Sequence, residues 1–156
     1  MDIIPLIIVA AISGGTTLLF AVLGGILNEK AGIINLGTEG IMLVGAVMAA
    51  IMFIQTQNLF LTLVVTVVAS GILGLVHAFL CITLRTNQIV SGLAITLFGS
   101  GFSAYIGKSV AGMPIPVNIP TLDITFINSI PYIGPIFSGL NMFILSSIAL
   151  SILLYV

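Results

Sequence analysis

The chain has 156 residues, of which 60% are hydrophobic and only 4% charged, with a net charge of −1 and a mean hydropathy of +1.39. A soluble domain carries roughly 25% charged residues; so few cannot make a globular surface wettable, and lipid is the implied solvent. Three basic residues exclude a nucleic-acid footprint, and a single cysteine, Cys81, excludes a disulfide framework within the chain.

The expected fold is therefore all-α, a polytopic transmembrane helical bundle. A span needs about 20 apolar residues, and the hydropathy pattern gives about five spans on that measure. The first covers 3–27. Asp2 precedes it and no basic residue does, so it reads as a retained span rather than a cleavable signal peptide. Its glycines and the SGGTT patch suit helix–helix contact in lipid.

The stretch NEKAGIINLGTEG, Asn28 to Gly40, is where the apolar pattern breaks. It holds Glu29, Lys30 and Glu39 beside Asn35 and the glycines Gly32, Gly37 and Gly40. Broken backbone at membrane depth is tolerated only where protein or water covers it, and ionisable groups there mark a pathway or a contact. The following apolar run is too short to cross by itself. The second span is therefore expected over 36–54, which places Asn35 and Glu39 at or inside the hydrocarbon boundary. Glu29, Lys30, Gly32, Gly37 and Gly40 are expected to build the hinge, with a Glu39–Lys30 ion pair as one way of holding it.

The third span is expected over 59–84 and the fourth over 89–107. Ser70, Gly74 and Ala78, and then Gly99, Ser103 and Gly107, recur every fourth residue and form small-residue packing stripes. His77 lies near the first stripe, where a hydrogen-bonded interior group competes with a proton relay or ligand contact. Lys108 can snorkel to the interface. Prolines at 114, 116, 120, 131 and 135 forbid a continuous helix, so 109–140 reads as an outside loop packed on the membrane surface. A fifth span is expected over 141–156. It is apolar to the last residue and shorter than the bilayer core, which suggests a piece of a longer protein. Lys30 and Arg85 place two connections on the cytoplasmic side, with Lys108 dissenting.

No nucleotide-binding loop, His/Cys cluster or nucleophile elbow occurs, so no catalytic or metal-binding residue is expected. The candidates for a substrate pathway are Asn35, Glu39, Asn87 and Gln88, since interrupted helices in transporters present helix ends and freed backbone to a solute.

At NEKAGIINLGTEGIMLVGA the chain resembles the permease subunits of ATP-binding-cassette importers, in particular the nucleoside and simple-sugar type within the branched-chain amino-acid and ribose permease superfamily. The matching residues run from Glu29 and Lys30 through Ala31, Gly32, Ile33 and Ile34 to Asn35, Leu36, Gly37, Thr38, Glu39 and Gly40. NQIVSGLAITLFGSG, from Asn87 to Gly101, is similar to a second family segment. The resemblance covers essentially the whole chain and is to the N-terminal half of such permeases. It implies a multi-pass protein of the cell membrane. It also implies cytoplasmic ATPase subunits that bind the ATP, a second permease subunit (identical or paralogous) and an extracytoplasmic substrate-binding lipoprotein. The competing readings are a secondary transporter or channel coupled to protons through Glu39 and His77, and a membrane scaffold whose polar groups only join helices.

Overall fold

A computed structural model describes residues 3–114 and 141–155. Its regular elements are all helical: α1 (Ile3–Lys30), α2 (Thr38–Thr56), α3 (Leu59–Ala78), α4 (Gln88–Gly107) and α5 (Met142–Tyr155). A π-helical turn, Phe79–Thr83, continues α3. Four of the helices are long and apolar enough to cross a membrane, and the fifth is apolar but shorter. The chain is thus an all-α, polytopic membrane protein. It divides into two compact units. One holds α1 as far as Gly24 together with α5; the other is Gly25–Pro116.

In the first unit several hydroxyls turn back onto their own helices. The Thr16 hydroxyl donates to the Ile12 carbonyl at 2.8 Å. In α5 the Ser147 and Ser151 hydroxyls donate to the carbonyls of Ile144 and Ser147. A hydroxyl bonded this way has no exposed donor and can sit in an apolar setting. Asn141 starts α5, its Oδ1 accepting from the Phe143 and Ile144 amides at 3.1 Å, which satisfies donors that a helix start leaves open.

The second unit packs α2 against both α3 and α4. Its helix ends depart from the hydropathy limits for local reasons. α1 runs on through Glu29 and Lys30 and stops at Gly32, whose φ of +78° is the left-handed conformation that ends helices cheaply only in glycine. Around it the Ile33 amide donates to the Asn28 carbonyl and the Gly32 amide to the Glu29 carbonyl, both at 2.9 Å, the bond pair of a Schellman closure. α2 starts at Thr38 rather than 36, because Asn35 and Gly37 build a turn first. α2 ends at Gln57, also left-handed (φ 52°). Asn58 then caps α3, its Oδ1 accepting from the Leu61 amide at 3.1 Å, and Asn87 caps α4 through the Ile89 and Val90 amides.

After α4, residues 108–112 form turns with Gly112 left-handed. Of the loop expected over 109–140, residues 115–140, with Asp123 and most of its prolines, lie outside the described residues.

Candidate functional site: an unwound segment braced by α4

Between α1 and α2, residues 33–37 have no helix to satisfy their backbone. α4 satisfies part of it instead. The Ile34 amide donates to Gln88 Oε1 at 2.8 Å, and Gln88 Nε2 donates to the Gly32 carbonyl at 3.4 Å. The Thr96 hydroxyl donates to the Leu36 carbonyl at 2.8 Å. Within the segment, Asn35 Oδ1 accepts from the Gly37 amide at 2.8 Å, and the Thr38 hydroxyl donates to the Asn35 carbonyl at 3.1 Å.

These contacts climb both elements in step. Gln88 meets Ile34, Thr96 meets Leu36, Gly99 meets Gly40, Ser103 donates to the Leu43 carbonyl at 3.1 Å, and Gly107 faces Val47. The unwound segment and α2 therefore run parallel to α4. About 12 Å of helix separates Gln88 from Thr96. The open backbone of 33–37 lies alongside that part of a membrane-length helix, which covers one side of it: Gly37 is buried, while Ile34 and Leu36 are exposed.

The crossing itself needs glycine on both sides. A methyl group on Gly99 would collide with the Gly40 main chain, and one on Gly40 would lie 2.5 Å from the Ile95 carbonyl oxygen. On the other flank α2 reaches α3 at Ser70: a methyl on Gly45 would stand 2.6 Å from its hydroxyl. Gly74 takes no part in that contact, having open space around it.

Each side chain named from the sequence can now be placed. Asn35, Asn87 and Gln88 all have their carbonyl oxygens occupied by backbone amides; they shape the segment and start α4. Glu29 and Lys30 are exposed in the last turn of α1. Gln88 brings that end and the Arg85 connection to the same end of the unit. Glu39 is different. It is exposed in the first turn of α2, where the helix dipole favours a carboxylate. No hydrogen bond or ion pair holds it among the described residues, Lys30 included. His77 is 3% exposed and sits within 3.1 Å of the Ser91 hydroxyl, joining α3 to α4, with Cys81 Sγ 3.6 Å from its Nε2. Among the described residues no group of three metal-binding side chains assembles.

Sequence reasoning missed Thr96 and Ser91 as cross-helix partners. Both lie on α4, and Thr96 lies one turn before the glycine of the crossing. An extended segment with open carbonyls beside a helix bearing hydroxyls was the available signal.

The geometry defines a polytopic membrane protein with a braced interruption between its first two spans. The family to which it belongs follows from comparison: residues 7–156 match the model for the branched-chain amino acid transport system permease component, and the chain is a member of that family. It is 41% identical over 110 residues to the "Putative glucose ABC transporter permease protein" of Haloferax volcanii, covering 67% of this chain and 33% of that protein. It is 31% identical over 147 residues to the guanosine ABC transporter permease protein of Bacillus subtilis (88% and 46%). It is 28% identical over 131 residues to the nucleoside ABC transporter permease protein of Lactococcus lactis (78% and 41%). The chain thus spans less than half the length of the curated relatives it matches. No solved structure matches it. Family and apolar helices together make it a multi-pass protein of the cell membrane.

Proposed function

We propose that this chain is part of the membrane-spanning permease subunit of an ATP-binding-cassette importer that moves a nucleoside or simple sugar. The observation that carries the reading is the segment 33–37: backbone unwound beside a membrane-length helix, braced by α4 at the Ile34 amide and the Leu36 carbonyl, and leading into α2 at the unbonded carboxylate of Glu39. A scaffold helix has no use for such an interruption, whose formation leaves backbone groups that must be satisfied one by one. The relatives named for guanosine, nucleosides and glucose support a neutral polar solute.

In this reading an extracytoplasmic binding lipoprotein delivers the solute, and two permease subunits enclose the pathway. Cytoplasmic ATPase subunits drive alternating access; the permease itself hydrolyses nothing and needs no cofactor. Asn35 and Gln88 act by holding the segment in shape, Asn87 by starting α4, and Glu39 is the group that meets the pathway.

The test is made on the full reading frame, reconstituted with its ATPase and binding protein, by measuring ATP hydrolysis with a panel of nucleosides, sugars and amino acids. Stimulation by nucleosides or sugars, weakened in Glu39→Gln, supports the reading. Uptake that ignores the ATPase and collapses with the proton gradient promotes a secondary transporter in its place.

A further inference from the structure

Glu39 does not stand alone on its face. On α2, Gly40 and Val47 turn to α4 and Gly45 turns to α3. Glu39, Leu43 and Ala46 recur at helical spacing on a third face, and all three are exposed. Each residue turns the helix by about 100°, so Glu39 points away from Gly40 in the sense opposite to the α3 side. On α4 the same reasoning starts from Gly99, which meets α2. Ser91, bonded to His77, marks the α3 side. Ser100 is the next residue after Gly99 and falls about 100° round in the other sense; it is exposed, with no hydrogen-bond partner among the described residues. Because α2 and α4 run parallel, Glu39 and Ser100 share one side of the pair, both next to the Gly40–Gly99 crossing and therefore at one level. Thr96 borders the same side a turn below, and Leu36, Leu43 and Leu93 are the exposed apolar groups around it.

We infer that Glu39 and Ser100 form a hydroxyl-recognition site for the vicinal diol of a sugar ring. The inference rests on the importer reading above and adds the chemical feature read by the permease itself. Hydrocarbon is not a tenable neighbour for the carboxylate. A carboxylate only accepts hydrogen bonds, and its two oxygens are spaced to receive two adjacent hydroxyls; a serine hydroxyl both donates and accepts. A ribose or hexose ring presents that diol, while its carbon face suits the leucines.

The experiment uses the full permease with its ATPase and binding protein in proteoliposomes. ATP-driven uptake of guanosine is compared with that of 2′,3′-dideoxyguanosine, and uptake of glucose with that of 2,3-dideoxyglucose. Each is measured with the binding protein saturated, so that its own preference drops out. The expected result is a diol preference of about tenfold, the scale of a hydrogen bond to a charged group. Glu39→Ala should abolish it by slowing the diol solute alone, and Ser100→Ala should reduce it. A preference unchanged in both variants, or both solutes slowed equally, overturns the site, as does the absence of any preference in the parent. If neither pair is taken up under ATP, the importer reading falls first, before any ratio can be formed, and the site falls with it.

Discussion

Gly99 of α4 lies against the main chain of Gly40 in α2, so closely that a methyl group on either residue would occupy the space of the other helix's backbone. A flexible side chain can swing away from an intruding methyl, but a helix backbone can yield only by moving the whole helix. This is where the unit is least able to accept added volume.

Gly99→Ala and Gly40→Ala should therefore each destabilise the protein by about 3 kcal/mol or more, at or beyond the upper end of ordinary overpacking. Thermal unfolding of the full-length protein in detergent measures it. Gly101→Ala, at a site with open space around it, is the control and should be neutral. Equal melting temperatures for all three would contradict the crossing.

Gln88→Leu removes both bonds to the 32–34 backbone while nearly keeping the volume. Each bond to the segment contributes about 1 kcal/mol, and the amide of Ile34 loses its partner outright. Hydrogen exchange at Ile34 should accelerate about tenfold or more, with the interior of α3 unchanged. No acceleration at Ile34 would mean that α4 does not brace the segment.

The contact of His77 with Ser91 should have a small coupling. Paired helix–helix hydrogen bonds in membranes average about 0.6 kcal/mol, so a double-mutant cycle of His77→Phe and Ser91→Ala should give an interaction energy under about 2 kcal/mol. A larger value would mean the pair does more than join α3 to α4.

Gly32→Ala forces a side chain into a left-handed conformation and should cost about 1 kcal/mol, whereas Gly32→Asn should cost less, since Asn tolerates that region. Chemical denaturation of the two variants beside the parent gives the order. Equal costs would contradict the Schellman closure of α1.

Much of this is legible in the sequence. The spans follow from hydropathy, and the break at 28–40 follows from its charges and glycines. Gly99, Ser103 and Gly107 stand out by spacing, and all three face α2. What the sequence conceals is which partner a polar side chain takes. Asn35, Asn87 and Gln88 have the same chemistry whether they bind a solute or a backbone amide; the first two have their oxygens taken by local amides, and only the parallel placement of 33–37 beside α4 shows the Gln88 oxygen occupied. Ser70, Gly74 and Ala78 look equivalent by spacing, yet α2 reaches α3 at Ser70 and leaves Gly74 open; a crossing point depends on helix tilt, which periodicity does not encode.

The bracing of 33–37 has a consequence for biosynthesis. Its partners Gln88 and Thr96 lie 54 and 60 residues downstream of the groups they satisfy. At roughly 5–20 residues per second they are made seconds after the segment itself. Until then the Ile34 amide and the Leu36 carbonyl lack the partners that the folded protein gives them, and the expected outcome is that the segment stays in water, with α2 incompletely inserted, until α4 is made. A cysteine placed at Asn35 should react with a water-soluble thiol reagent in ribosome-bound chains arrested before α4 emerges, and become protected once it has; protection from the start would show that the segment enters the bilayer without α4.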